Sequence, residues 1–289
     1  MPGTTRNRDR AAELCSEATG VPYRTSRSWA ARGLITRRCP VPDADHPDQR
    51  ALEAAVVLHL TGDPLKSGLL SITRVVPARD GLEVWLCPER ARQVMALLLP
   101  RWDTVLGGLG GIVGLRPARE GSALRLHSLV HGGSVLIRHP DPAWAESFFA
   151  RRSCSVHIWR DTPERLHEDE RDWLSEPAGD DAVAVAEPDR DRLLSRIIRR
   201  SRLLRAAGSG HAWSGTYSEG RRELAIEWCC ATEPEDLAAR LRRSGLTVGP
   251  GGVERGEGCT LAFGGATVTM RRLPCASGHP RVLPACSTC

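Results

Sequence analysis

The sequence predicts an α+β protein: a small N-terminal helical module of helix-turn-helix plan, then a body of two strand–helix–strand–strand (βαββ) repeats with an inserted helical segment. Three observations carry that reading. The formal charge of +5 lies wholly in residues 1–40, where eight arginines face three acids, and the other 32 bases and 32 acids cancel. Two helical patterns flank a Gly-containing turn inside that basic stretch. One order of elements then occurs twice, each time with Gly-Gly at its last hairpin. The boundaries fall at 1–62 for the helical module, 63–142 for the first repeat, 143–215 for the partly acidic connecting segment, 216–274 for the second repeat and 275–289 for a Cys/His tail.

The first helix is read over residues 9–18, where Ala11, Leu14 and Cys15 share a face. Thr19-Gly20 ends it, since glycine accepts the positive φ that helix ends need. Pro22 opens the second helix, where a missing N–H costs nothing. That helix runs from Tyr23 to Arg32 and closes at Gly33. Two helices joined by a short Gly-containing turn form the plan whose second helix lies in the DNA major groove. A third helix, with Leu52, Ala55, Val56 and His59 at helical spacing, is expected over 48–60. His59 reads as a buried or rim histidine rather than a ligand.

The stretch ELCSEATGVPYRTSRSWAARGLITRR resembles the opening of MerR-type and excisionase-type DNA-binding domains, over about residues 12–38. The shared features are an EL-containing helix, a TGV turn, a second helix with R-T and an aromatic, and a closing G-L-I. The resemblance implies that Arg24, Thr25, Arg27 and Ser28 would face duplex DNA, that Trp29 would pack, and that Arg37 and Arg38 would reach phosphate. The basic, aromatic wing of that family has no counterpart, because residues 41–49 (VPDADHPDQ) are acidic.

In the body, the first repeat reads as a strand at Leu82–Cys87, a helix at Pro88–Leu99, a Gly-rich connection at 107–114, and strands at Ala123–His131 and Ser134–His139. The second reads as a strand at Glu223–Cys229, a helix at Glu233–Ser244, a Gly-rich connection at 249–258, and strands at Cys259–Phe263 and Ala266–Arg272. Gly132-Gly133 and Gly264-Gly265 sit where tight hairpin turns need them. Thr232 with Glu235 has the form of a capping box. Between the repeats, a helix is expected at 143–151, a strand at 153–159 and an acid-rich helix and loop at 161–181. One helix is expected over 189–207, with Leu193, Leu194, Ile197, Ile198 and Leu204 buried. Arg192, Arg196, Arg199, Arg200, Arg202 and Arg205 are expected as a solvated face that pairs with the acidic stretch, a second polyanion surface being the other reading.

The body is similar in plan to regulators that carry a gyrase-inhibitor-like effector domain. That likeness implies a clasped small ligand, often cationic or aromatic. Glu83, Trp85, Glu227 and Trp228 lie on the matched first strands, and carboxylates with indole faces suit a cationic guest.

The tail places Cys275, His279, Cys286 and Cys289 as C-x3-H-x6-C-x2-C. Four such ligands can close a tetrahedral structural zinc site; a redox pair at Cys286/Cys289 and an inert tail are the other readings. Cys15, Cys39, Cys87, Cys154 and Cys259 are scattered and read as fillers of apolar positions. Arginine abundance alone says little, because a chain with a single lysine, Lys66, has the composition of a GC-rich genome.

Several function classes lack a signature. Gly108 and Gly110 are followed by Val113 where a dinucleotide loop needs glycine, and no GK[ST] follows. No G-x-S-x-G or H-E-x-x-H is present, so an enzyme is not expected. No run of about 18 apolar residues exists, so no membrane span is expected. The charged N-terminus lacks the apolar core of a secretory signal, and a cytoplasmic protein follows. The expected function is a DNA-binding transcriptional regulator or accessory regulatory protein, ligand-responsive through the repeated body. The alternative is a non-enzymatic adaptor whose N-terminal hairpin docks on a protein partner.

Overall fold

A computed structural model describes residues 5–61, 68–103, 108–150, 157–175, 188–207, 214–218, 223–228, 232–246 and 258–272. The chain opens with α1 (Thr5–Thr19), α2 (Tyr23–Ala31) and α3 (Pro47–Thr61). A 3-10 turn (Gly68–Ser71) leads into β1 (Ile72–Pro77) and β2 (Leu82–Leu86), followed by α4 (Ala91–Leu98). The short strands β3 (Arg101–Asp103) and β4 (Gly108–Gly110) precede β5 (Leu115–Glu120), β6 (Ala123–Ser128) and β7 (Ser134–Arg138). Next come α5 (Trp144–Ala150), α6 (Ile158–Asp161), α7 (Glu168–Ser175), α8 (Pro188–Ile198) and α9 (Ser201–Ala207). The last elements are β8 (Ser214–Ser218), β9 (Glu223–Trp228), α10 (Pro234–Arg243), β10 (Gly258–Phe263) and β11 (Ala266–Arg272). The fold is α+β. Among the described residues no helix is long and apolar enough to cross a membrane.

Two sheets dominate, ordered β1-β2-β7-β6-β5 and β8-β9-β11-β10. In each, the first strand is antiparallel to the second, the second is parallel to the last, and the last is antiparallel to the one before it. The repeat is therefore larger than the sequence pattern suggested, because β1 and β8 add a leading strand to each copy. Each copy also begins with a helix that starts Pro-Asp: Pro47-Asp48 on α3 and Pro188-Asp189 on α8. Both Gly-Gly hairpins rest on that first turn. Ser134 N donates to Gln49 Oε1 at 3.0 Å, and Gly265 N donates to Asp189 Oδ2 at 2.7 Å. A Cβ at Gly264 would lie 2.4 Å from Asp189 Oδ2, which fixes glycine there. The unit is αββαββ, and the first copy adds β5 and the β3–β4 hairpin.

Ladder register sets which residues correspond. Leu82 faces Val135 and Trp85 faces Arg138 in one sheet; Leu224 faces Val268 and Glu227 faces Arg271 in the other. Trp85 thus matches Glu227, and Leu86 matches Trp228. Trp85 and Trp228, both placed on the matched first strands, therefore occupy positions one residue apart. In a strand that offset moves a side chain to the opposite face.

The units meet through their leading helices, and α3, α8 and both inner sheet faces share one buried core. Within it lies an ion pair: Glu53 on α3 and Arg199 after α8, both 0% exposed, 2.7 Å apart. All five Arg199 N–H groups are used. Nε and one Nη2 hydrogen reach the two Glu53 oxygens, the other Nη2 hydrogen reaches Gly81 O, and Nη1 serves Pro42 O and Ala78 O. Glu53 also accepts from Gln49 and from Ser195 Oγ. Beside it, Arg196 and Arg200 share Asp43. Arg196 Nη1 donates to Leu246 O and Arg200 Nε to Ser244 O, at the carbonyl end of α10. That end carries partial negative charge, which offsets the cation left over from three arginines and two acids. Burial pushes the Arg200 guanidinium down to about 10, with Asp43 pulling the other way, so it stays charged at neutral pH.

The structure departs from some of these expectations and agrees with others. Residues 189–207 form two helices, broken at Arg199-Arg200, and Arg196, Arg199 and Arg200 are buried rather than solvated. Ile158 and Trp159, expected in a strand, belong to α6. The capping box at Thr232 does not form. Pro234 takes the first helical position, so the N-cap shifts to Glu233, and Thr232 O instead accepts from Trp228 Nε1 at 2.7 Å. Cys15, Cys87 and Cys259 are buried, whereas Cys39 is exposed. His59 is partly buried, with Nδ1 2.9 Å from Ala55 O and Nε2 3.0 Å from Gly111 O; burial holds its pKa down.

A second buried pair fastens the inserted helices. Arg116 on β5 and Glu170 on α7 are 1% and 0% exposed and meet at 2.5 Å. Burial raises the Glu170 pKa, but Arg116 and the amides of His167 and Gly114 outweigh it, and the net shift is downward.

Two outcomes follow from these pairs. Glu53→Ala strands a buried guanidinium without its counter-charge, so urea denaturation is expected to show a loss of about 3–5 kcal/mol; a loss below about 1 kcal/mol would contradict the assignment. Because the Glu170 pKa is lowered on folding, its contribution is complete above the ordinary value of 4.5 and is lost as pH falls through the folded value. The stability gap between the wild type and Glu170→Gln should therefore shrink as pH falls from 4.5 towards the folded value and level off below it. A gap that stays constant with pH is the opposing result.

Candidate nucleic-acid interface

Helix α1 has two partners. Ala11 and Cys15 join Ala30 and Ile35 in a small core against which Trp29 packs, while Ala18 belongs to the main core. The far side of α1 is tied to the second unit, where Arg240 Nε donates to Glu17 Oε1 at 2.8 Å. Gly20 (φ +77°) ends α1 so close to β1 that an added Cβ would lie 3.0 Å from Thr73 O. The Thr19 hydroxyl donates to Cys15 O and accepts from Val21 N, which closes the turn into α2. Residues 20–22 alone separate the two helices.

Helix α2 is consequently the outermost layer. Only Ser26 and Ala30 on it are buried. Arg24, Thr25, Arg27 and Ser28 are all exposed. Arg24, Arg27 and Ser28 recur at three- and four-residue spacing, so they share one face. Arg37 and Arg38, in the loop beyond α2, are exposed as well. The six residues singled out by the sequence therefore all lie on the solvent side of one helical pair.

The structure adds residues that the motif did not pick out. Arg6, Arg8, Arg10 and Arg32 are also exposed, so every arginine of the first forty residues faces solvent. Of these eight, only Arg10 and Arg27 form ion pairs with described residues, with Glu13 at 2.9 Å and Asp9 at 3.5 Å. Such exposed pairs are weak and exchange readily for another anion. A groove of about 850 Å³ runs along the start of α1, lined by Arg6, Asn7, Asp9, Arg10, Glu13 and Arg37. The only sequence signal for these extra arginines was the charge asymmetry itself.

The ligand residues behave differently. Glu83 and Trp85 project from the same face of β2, and the Trp85 Nε1–H donates to Glu83 Oε1 at 2.6 Å. The cation on this indole is the chain's own Arg74, with Cζ 3.8 Å from the ring centroid. Arg138 Nε donates to the second Glu83 oxygen at 3.2 Å. Burial holds the Arg74 pKa below its ordinary value, and Glu83 works against that shift. Glu227 and Trp228 lie in the other sheet on opposite faces of β9. Trp228 is 0% exposed and belongs to the core, and Glu227 lies 3.6 Å from Arg271. Glu83 and Trp85 thus share a face of one sheet, whereas Glu227 and Trp228 point to opposite faces of the other.

Cys275, His279, Cys286 and Cys289 lie outside the described residues, as does Cys154. Among the described residues no cluster of three or more His, Cys, Asp or Glu side chains is arranged to hold a metal ion. No protein-family model matches the chain, and neither a curated protein nor a solved structure matches it significantly.

Proposed function

We propose that this protein binds duplex DNA through α2 and the arginines around it, as a regulatory rather than a catalytic protein. The observation that supports this most is the division of arginines. All eight in residues 1–40 are exposed, with only three acids among them. In the body Arg116, Arg190, Arg196, Arg199 and Arg200 are buried, and the exposed arginines, such as Arg79, Arg92 and Arg119, belong to a stretch in which bases and acids cancel. An exposed cation costs little to hold and gains most from a polyanion, whose condensed counterions it releases. Arg24, Thr25, Arg27 and Ser28 supply donors for base edges and phosphates, and Arg6, Arg10, Arg37 and Arg38 flank them with further phosphate-directed charge. Helix α1 is braced against the body, which suits a helix that must hold its partner steady in a groove.

Ligand control through the body has narrower support. The Trp85 face is already filled by Arg74, so a cationic guest there has to displace an internal guanidinium. The adaptor reading draws on Leu34, 50% exposed just after α2, and on Tyr23, 41% exposed. Apolar docking of that kind depends little on salt, which separates it from the first reading.

Substitution serves better than truncation as a test, because α1 supplies Ala18 to the main core. Fluorescence anisotropy with a mixed duplex-DNA pool should show binding that weakens with salt. Each lost phosphate contact removes about 0.9 from the slope of log K against log salt. The double variant Arg24→Ala/Arg27→Ala should bind more weakly, with a slope lower by about 2 if both arginines contact phosphate. Salt-independent binding, or a variant that binds as well as the wild type, would refute the proposal.

A further inference from the structure

We infer that Arg27 reads guanine in the major groove and that Asp9 is its positioning residue, holding one side of the guanidinium so that the other faces a base. This rests on the nucleic-acid reading above and names the base that the surface selects. Asp9 lies on α1, and its Oδ1 is 3.5 Å from Arg27 Nε on α2. The Tyr23 hydroxyl donates to the same oxygen at 3.3 Å. Of the two arginines on α2, Arg27 is the one in an ion pair with a described residue. The remaining pair of the module, Arg10 with Glu13, is local to α1 and ties no two elements together.

An acid in this place works against a surface built only for phosphate. Asp9 lines the groove at the start of α1 together with Arg6, Arg10 and Arg37. There it repels the same phosphates that those arginines attract, so backbone contact alone would be stronger without it. Its contribution to stability is small as well. The Arg27 and Asp9 side chains are 63% and 36% exposed, and pairs this open to water stabilise little. The two helices are already joined by Ala11, Cys15, Ala30 and Ile35, and by the turn that the Thr19 hydroxyl closes. What Asp9 does supply is a fixed orientation for Arg27.

That orientation suits a base edge. A guanidinium presents five N–H donors in a planar fork, and Asp9 sits on the Nε side of it, which leaves the two Nη groups for another pair of acceptors. Guanine offers O6 and N7 side by side in the major groove, and two N–H groups of one fork match them. Adenine sets a donor beside its N7 and does not match. Arg24 lies three residues earlier on the same face, in no ion pair with a described residue, and can follow a phosphate instead. One arginine is therefore braced for specificity, and its neighbour is left to adapt.

Selection of a randomised duplex library by the full chain, with sequencing of the bound fraction, tests this. The wild type should enrich guanine at one fixed position, and 7-deazaguanine there, which lacks the N7 acceptor, should weaken binding about tenfold. Asp9→Asn should cut that preference about tenfold, yet bind the unselected library at least as tightly as the wild type, because an acid has left the groove. An Asp9→Asn variant that binds every duplex more weakly in equal measure marks a merely structural residue and overturns the inference. Arg27→Lys keeps the charge and loses the fork, so it should lose the guanine preference at an unchanged salt slope, whether or not Asp9→Asn folds. Full guanine preference in either variant, or a wild type that binds duplex without enriching guanine, overturns the inference and leaves the nucleic-acid reading standing. A wild type that binds no duplex overturns both.

Discussion

The Glu53–Arg199 pair is the constraint on which the arrangement of the two units depends. A guanidinium has five donors, and one taken wholly out of water must find an acceptor for each. Arg199 finds two on α3, one at Pro42 in the segment leading from α2, and two in the β1–β2 turn at Ala78 and Gly81. One side chain from the second unit thereby fixes the leading helix of the first unit, its first hairpin and the approach from the N-terminal module. The break between α8 and α9 falls at this residue. A helix passing straight through would carry Arg199 and Arg200 about 100° apart around its axis, according to helix geometry. The interruption lets Arg199 point into the α3 interface while Arg200 reaches Ser244 at the end of α10.

The acidic stretch at 41–49 takes on a different meaning in this setting. From sequence it marked the absence of a basic wing. In the structure Asp43 is the shared partner of Arg196 and Arg200, so an acid is needed where the chain crosses the buried arginines. The same crossing brings the N-terminal module close to α10, through the Glu17–Arg240 contact and through Gly245 packed by Pro40. The second unit therefore touches both the first helix of the module and the loop that follows its second helix.

Much of this was legible in the chain, and the parts that were not share a physical cause. Glycine turns, alternating strands and the N-terminal helical pair are local signals, and β2, β6, β7, β10 and β11 lie close to where those signals placed them. β1 escaped notice because Ile72–Pro77 ends in proline and carries Arg74 on its open side, which blurs the alternation. The arginines of 189–207 misled most. Leu193, Leu194, Ile197 and Ile198 define one apolar face, and amphipathic logic sends everything else to solvent. That logic assumes a helix with one buried side, whereas this segment is packed against α3 on one side and reaches α10 on another. Only tertiary contacts reveal that an arginine is an internal cross-link. Matching the first strands as elements left open which face each ligand residue takes, because hydrogen-bond register decides that. The exposed face of α2 was readable because it needs no partner within the chain.

Buried arginines hold the body together, and under the proposed function the exposed arginines of residues 1–40 are the ones that meet DNA. Hydrogen–deuterium exchange of the full chain with and without duplex DNA tests that separation most directly, because it reports where the nucleic acid rests. Slowed exchange confined to the first turns of α1, to α2 and to the loop through Arg38, with the α3–α8 interface unchanged, is the expected result. Protection centred on the β2 face or on α7, with α2 unaffected by DNA, would contradict it.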